Sequence, residues 1–237
     1  MNALPWTIYF SFAGAALSLV VGSRSAAAAR RLALFTALAG FAAALLAASC
    51  FVPGPRLQTI IDLPWIAQLG IRFHLAADGI SLTLIVLTGI AATAGVLFSW
   101  NIEERVGEFF ALYFALIGGV YGVFMSADAF VLFVFYEIAI VPKYFLIANW
   151  GSTNREYGAM KLVLYSFAGS ALVLAGLLWA YGASGGQSFA LGDLEVQEIF
   201  RLHKTACEFR KGVNAREEHR LLLFNFPHLR PQLEHRL

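Results

Sequence analysis

Charged residues are scarce in this 237-residue chain: Asp, Glu, Lys and Arg make up 14% of it, against roughly 25% in soluble domains. Cysteine is scarcer still, with only Cys50 and Cys207 in the sequence. Two cysteines are too few for a disulfide framework, and these two are too far apart for a CxxC metal or redox site. The net charge of +2 provides no basic stripe for nucleic acid. These shortages argue against soluble, disulfide-rich and nucleic-acid-binding proteins. With 59% hydrophobic residues, the composition indicates a membrane protein.

Long apolar runs are what the chain does contain. Crossing about 30 Å of hydrocarbon takes about 20 mostly apolar residues in a helix, and six stretches of suitable length occur. Apolar side chains recur on every side of them, as in helices that face lipid or other apolar helices. The sequence therefore predicts an all-α, polytopic integral membrane protein with six transmembrane helices. The predicted spans are residues 7–22, 32–51, 79–100, 109–127, 129–148 and 162–181.

Small residues recur within two of these spans and indicate close helix packing, since small side chains let backbones approach each other in lipid. The fourth span carries Gly118, Gly119 and Gly122. The sixth carries Ala168, Gly169, Ala175 and Gly176. A compositional bias toward Ala and Gly is the alternative interpretation.

The charges divide the chain into two parts, because residues 1–193 contain 18 Asp, Glu, Lys and Arg and residues 194–237 contain 14. We expect a transmembrane domain over 1–193 and a polar tail over 194–237. The tail has no apolar run long enough to cross a bilayer. His203 and Cys207 share an i,i+4 spacing that suits two metal ligands on a helix. Without a CxxC or HExxH pattern, a solvated tail is favoured over a metal site.

Basic residues predict the orientation, because Lys and Arg are retained on the cytoplasmic side. The loops after the first, third and fifth spans carry six of them, whereas the 52–78 loop has only two. The N-terminus is therefore predicted to lie outside. The six are Arg24, Arg30, Arg31, Arg105, Arg155 and Lys161.

Glu137 stands near the middle of the fifth span. A charge at that depth costs at least about 2.5–3.5 kcal/mol, so such a group is kept neutral, paired or hydrated and usually has a function. Pro142 lacks an N–H and leaves the Ile138 carbonyl without its helical partner. A carboxyl whose protonation depends on a nearby cation can exchange protons, so Glu137 is the candidate proton relay. A structural, hydrogen-bonded carboxyl is the alternative.

Two lysines are candidate modulators of this carboxyl. Lys143 follows Glu137 by six residues and does not share its helix face, so an anchor at the membrane interface is the favoured interpretation. Lys161 opens the sixth span, where an ordinary cytoplasmic anchor is the alternative. Asp78 and Asp128 precede the third and fifth spans and are predicted N-caps, whose carboxylates accept from free N–H groups at the helix start.

Three segments resemble a known family. The run from Val131 to Ala148, which includes Phe135-Tyr136-Glu137-Ile138-Ala139-Ile140-Val141-Pro142, resembles the fifth helix of the chain M type of antiporter-like membrane subunit in proton-pumping NADH:quinone oxidoreductase, respiratory complex I. The other two segments are His74-Leu75-Ala76-Ala77-Asp78-Gly79-Ile80-Ser81 and Ala159-Met160-Lys161-Leu162-Val163-Leu164-Tyr165. The likeness covers roughly residues 1–193, and Tyr136 and Lys143 depart from the family's usual Trp and apolar residue.

The resemblance implies a site, partners and a location. Glu137 takes the place of a glutamate that interacts with a lysine on a later helix and couples redox energy to proton transfer. The chain itself is expected to bind no cofactor or metal; NADH, FMN, iron–sulfur clusters and quinone are expected in partner subunits. Other membrane subunits, the lipid bilayer and protons are the expected partners, with no nucleic acid. The expected location is a bacterial inner membrane, of which the chain would be an integral protein.

Family members are longer, and their later broken helices with central lysines have no counterpart in this chain. The resemblance therefore implies a truncated or frameshifted member, or a tail specific to one lineage. No phosphate-binding glycine loop, nucleophile elbow or zinc motif indicates an enzyme that acts alone. Three hypotheses stay open: a subunit of NADH:quinone oxidoreductase, a subunit of a cation/proton antiporter or membrane hydrogenase, and a truncated scaffold that does not pump.

Overall fold

A computed structural model describes residues 3–51, 57–183 and 188–191, and these fall in one compact unit, Met1–Leu191. Six helices in it are long and apolar enough to cross a membrane, which confirms the predicted helical membrane fold. At 1.5 Å per residue, even the shortest reaches nearly 30 Å. The helices are α1 Leu4–Gly22, α2 Ala26–Ser49, α3 Gly79–Phe98, α4 Val106–Met125, α5 Ala129–Trp150 and α6 Arg155–Ala183.

Four helices begin earlier than the apolar runs suggested, and α2 and α6 differ most. α2 starts at Ala26 and takes in Arg30 and Arg31, and α6 starts at Arg155 and takes in Lys161. An apolar run marks the part of a helix that suits hydrocarbon, whereas the helix itself can continue into water or headgroups with polar side chains. Ser25 caps α2 by accepting a hydrogen bond from the Ala28 N–H at 3.4 Å.

The connection between α2 and α3 contains an antiparallel β-hairpin, where the hydropathy pattern indicated a loop. Strand β1, Gln58–Ile66, pairs with β2, Ile71–Ala77, and a short 3₁₀ turn joins the two strands. Gly70 ends the turn with φ of 66°, a left-handed conformation that glycine adopts at no steric cost. Two irregularities in register and Pro64 within β1 interrupt the strand pattern, so the sequence carries no clear alternating signal.

The hairpin is extended on the side of β2 by two further segments. The Ala127 N–H donates to the His74 carbonyl at 2.9 Å, which places the α4–α5 connection beside β2. The Ala129 N–H donates to the Phe189 carbonyl at 2.9 Å, and the Leu191 N–H donates to the Ala127 carbonyl at 3.0 Å. Residues before α3, between α4 and α5, and after α6 thus share one layer of backbone hydrogen bonds.

α4 lies at the centre of the bundle, packed against α1 and α5, and contributes the large buried side chains Phe110, Phe114 and Tyr121. Glycines permit the closest approaches. A Cβ on Gly119 would lie 2.9 Å from the Ala139 nitrogen, and the Phe135 ring covers Gly122. The predicted packing role of small residues thus holds for α4. For Gly169 and Gly176 of α6 it stays a prediction, because an added Cβ would meet nothing within 4 Å among the described residues and any packing there would be against groups outside them.

The opposite end of the bundle is joined by polar contacts between helices and loops. Arg30 donates to the Ile102 carbonyl at 2.8 Å, and the Trp150 indole N–H donates to the Glu104 carbonyl at 2.9 Å. The Arg105 guanidinium lies 5.9 Å from the centre of the Trp150 ring and pairs with Glu108. This is the end at which the basic loop residues predict the cytoplasm.

Gly119→Ala and Gly169→Ala make a matched pair, because each adds one methyl group inside a helix. We expect Gly119→Ala to lower the free energy of unfolding by about 1–3 kcal/mol, since the new methyl meets the Ala139 backbone. Gly169→Ala should be neutral or raise it by up to about 1 kcal/mol. Denaturant unfolding of the full chain in detergent micelles measures both. Equal effects of the two substitutions would contradict the α4–α5 contact.

Candidate functional site

Glu137 lies in α5, which runs without interruption from Ala129 to Trp150 and contains the buried Pro142. The residue as a whole is half-buried. Its Oε1 atom is buried and has no hydrogen-bond partner among the described residues. Because an unpartnered buried carboxyl oxygen is costly, the position calls for a proton, a water or a group from outside this part of the chain.

Glu137 points away from the seam between α4 and α5. Phe135 and Ala139 contact α4, through Gly122 and Gly119 respectively. Each is two residues from Glu137, which corresponds to a rotation of about 160° around the helix. A group that pairs with the carboxyl must therefore approach from a side of α5 other than the one that α4 covers.

Neither candidate lysine pairs with Glu137 in the described part of the chain. The ion pairs there are Arg72 with Asp62 and Arg105 with Glu108. Lys143 is half-buried on α5, whereas Lys161 is exposed on α6 with its Nζ atom 4.8 Å from the centre of the Tyr157 ring. The structure places these residues on adjacent helices without bringing the charges together.

Asp78 is the N-cap of α3, as predicted. One carboxylate oxygen accepts from the Ser81 N–H at 2.7 Å. This hydrogen bond, more than any other contribution, holds the pKa of Asp78 below its ordinary value of 3.8, because it stabilises the charged form. The cap satisfies a free N–H group at the point where α3 begins.

Asp128 is the N-cap of α5, also as predicted, but it makes one contact that sequence reasoning missed. Its Oδ1 atom accepts from the N–H groups of Phe130 at 2.9 Å and Val131 at 3.2 Å. Its Oδ2 atom accepts from the Arg72 N–H in β2 at 3.2 Å. No local signal could reveal this bond, since its partner lies 56 residues away in the chain.

Among the described residues, no group of three or more His, Cys, Asp or Glu side chains is arranged to hold a metal ion. His203 and Cys207, the pair with metal-ligand spacing, lie outside the described residues. So does the polar tail, 194–237, which stays a prediction.

Known proteins resemble this chain over much of its length. Residues 126–224 match the family described as "NADH:quinone oxidoreductase/Mrp antiporter, TM". NADH-quinone oxidoreductase subunit M of Escherichia coli (strain K12) is 39% identical over 150 residues, 59% of this chain and 30% of that protein. NAD(P)H-quinone oxidoreductase chain 4 1 of Trichodesmium erythraeum (strain IMS101) is 32% identical over 184 residues, 75% of this chain and 35% of that protein.

Solved structures agree with these relatives. A chain of respiratory complex I from Thermus thermophilus superposes with a TM-score of 0.68 at 26% identity, over 82% of this chain and 38% of that one. A chain of the Mrp complex from Dietzia sp. DQ12-45-1b gives 0.65 at 18% identity, over 81% of this chain and 20% of that one. At that identity the second likeness shows the fold alone.

The fold defines a polytopic α-helical membrane protein of the antiporter-like class. Residues 126–224 belong by sequence to the membrane-domain family that NADH:quinone oxidoreductase shares with the Mrp antiporter, and the chain as a whole is similar to antiporter-like membrane subunits of NADH-quinone oxidoreductase. The matched part spans about a third of the length of the curated relatives. The family match also reaches residue 224, so the expectation that the likeness ends near 193 is corrected.

The cap at Asp78 gives a pH-dependent prediction that Asp78→Asn isolates, since Asn also caps helices but does not titrate. A lowered pKa means that the charged cap stabilises the fold above 3.8 and that this contribution is lost as pH falls through the lowered value. The free energy of unfolding of the wild-type protein should exceed that of Asp78→Asn by about 0.3–1 kcal/mol at neutral pH. This difference should vanish in acid, where Asp78 is protonated. Unfolding in micelles across this pH range is the measurement; a difference independent of pH would contradict it.

Proposed function

We propose that this chain is a membrane subunit of an NADH:quinone oxidoreductase, in which electron transfer from NADH to quinone is coupled to proton translocation. Glu137 serves as the proton-relay carboxyl inside the membrane. The observation that carries this role is the buried Oε1 atom of Glu137, which has no hydrogen-bond partner among the described residues. A carboxyl in that situation gains most from taking up a proton or meeting a cation, which are the two states of a relay.

The relay exchanges one proton at the carboxyl of Glu137. In this role the carboxyl carries the proton when no cation is near and passes it to a neighbouring water when a cation approaches. Pro142 supports this chemistry, because the helix forms no hydrogen bond from it to the Ile138 carbonyl. That carbonyl can accept a hydrogen bond from a water that serves the carboxyl.

Sequence identity favours the oxidoreductase over the alternatives. The relative at 39% identity is a subunit of NADH-quinone oxidoreductase, whereas the Mrp chain is 18% identical and shares the fold. A cation/proton antiporter or membrane-hydrogenase subunit is the second candidate, since the matched family includes Mrp antiporters. A scaffold that does not pump is the third. Co-purification separates them: flavin and iron–sulfur subunits mark the first, several antiporter chains the second, and neither the third.

The proposal assigns the redox chemistry to partner subunits. NADH, FMN, iron–sulfur clusters and quinone bind there, and this chain contributes the membrane part of the coupling. We place it in a bacterial inner membrane with its N-terminus outside. Six of the eight basic residues in the predicted loops lie at one end of the bundle, which supports that orientation because Lys and Arg are retained on the cytoplasmic side.

Glu137→Gln tests the relay, because the amide keeps the size of the side chain but cannot release a proton. In membranes that contain the assembled complex, we expect quinone-dependent NADH oxidation and the coupled proton gradient to fall by about tenfold or more. Glu156→Gln is the matched control, since Glu156 is exposed in the first turn of α6. Wild-type rates in Glu137→Gln with normal assembly would rule out the relay; Glu137→Ala is a harsher variant that also alters packing.

A double-mutant cycle tests whether Lys161 or Lys143 modulates Glu137. Lys161→Gln should reduce proton translocation in the wild-type background and have no further effect in Glu137→Gln, since the lysine acts through the carboxyl. The same cycle with Lys143→Gln ranks the two lysines. Proton uptake per electron transferred is the measurement. Additive losses in both cycles would show that neither lysine acts through Glu137.

A further inference from the structure

Asp128 is the most deeply buried carboxylate among the described residues, with 1% of its surface exposed. Its three hydrogen bonds divide between two elements. Oδ1 caps α5 through the Phe130 and Val131 N–H groups, and Oδ2 accepts from the Arg72 N–H of the hairpin. A capping residue needs only the first of these functions. The second joins the helix that carries Glu137 to a strand outside the helical bundle.

The residues on both sides of Asp128 are held as well. Ala127 bonds to His74 of β2 and to Leu191, and Ala129 bonds to Phe189. The start of α5 is thereby attached to the hairpin and to the segment after α6. The connection from α4 is only three residues long, from Ser126 to Asp128, so these bonds lie directly at the start of α5.

The hairpin also lies along α5 toward Glu137. The Phe73 and Phe135 ring centres are 6.1 Å apart, and those of Trp65 and Phe130 are 6.2 Å apart. An apolar groove between the two elements extends along α5 from Val131 to Ile138, the residue after Glu137. A shift of the hairpin therefore changes the packing along α5 as far as Ile138 as well as the start of the helix.

We propose that Asp128 is a positioning residue for Glu137, because its Oδ2 bond to Arg72 sets the height and rotation of α5 relative to the hairpin. Glu137 lies nine residues further on, about 13.5 Å along the helix. The contacts of α5 with α4 at Gly119 and Gly122 are apolar and lack a directional bond. The polar attachment at Asp128 supplies that direction. The inference rests on the proposed role of Glu137.

Asp128→Asn and Asp78→Asn form a matched pair that isolates the hairpin bond. Each variant keeps a side-chain oxygen for its helix cap, but only Asp128 uses its second oxygen to hold another element. The amide NH₂ group in Asp128→Asn cannot accept from the Arg72 N–H. The readout is the rate at which dicyclohexylcarbodiimide labels Glu137 in the full chain in its native membrane. Mass spectrometry locates the label, and Glu137→Gln gives the background.

We expect Asp128→Asn to change the labelling rate by about threefold or more, while Asp78→Asn labels like wild type. An unchanged rate in Asp128→Asn, or equal changes in both variants, would overturn the positioning role. So would wild-type Glu137 that takes no label at any pH. Labelling needs no proton pumping, so a failure of the relay in turnover assays leaves this test independent.

A second pair of variants decides the question if Asp128→Asn does not fold. Arg72→Pro removes the N–H that donates to Asp128, whereas Arg72→Ala keeps it and removes only the exposed ion pair with Asp62. A changed labelling rate in Arg72→Pro alone supports the proposal. The same rate in both overturns it.

Discussion

A hydrocarbon layer offers no hydrogen-bond partner to a polar group, and this constraint governs the six membrane-spanning helices. Six helices satisfy the backbone over the membrane-spanning lengths, and the ends are satisfied by other means. At α3 and α5 those means are the carboxylates of Asp78 and Asp128. Three buried side-chain atoms in the described part of the chain have no hydrogen-bond partner, and the Glu137 oxygen is the only one of them that belongs to a carboxyl; the other two are Ser18 Oγ and Arg30 Nε.

The β layer at one end of the bundle connects three separate parts of the chain. The hairpin, the α4–α5 connection and the segment 188–191 exchange backbone hydrogen bonds, so none of these groups depends on water alone. At the other end, Arg30, Arg105 and Trp150 join helices to loops through side chains. The hydrogen bonds of the β layer are directional and lie at the start of α5. This layer is therefore the better suited to determine where Glu137 sits.

The face that Glu137 uses limits the kinds of partner it can have. α4 covers the side of α5 that carries Phe135 and Ala139. The helices approach so closely at Gly119 and Gly122 that no other group fits between them. Glu137 lies on a different side. α6 contacts α5 but leaves most of its own apolar surface exposed, including Leu172 and Trp179. The candidate cations Lys143 and Lys161 form no ion pair with the carboxyl in the described residues.

Composition and hydropathy alone determined the membrane class and the six helices, because these depend on the length of apolar runs. The two N-caps followed from an Asp directly before a span, which is a local signal. The motif around Glu137 indicated the family. Only the tertiary structure decided the hairpin, the bond from Arg72 to Asp128 and the side of α5 that α4 covers. Strand pairing and helix contacts join residues far apart in the chain, and in lipid every helix face is apolar, so hydrophobicity does not distinguish a buried face from an exposed one.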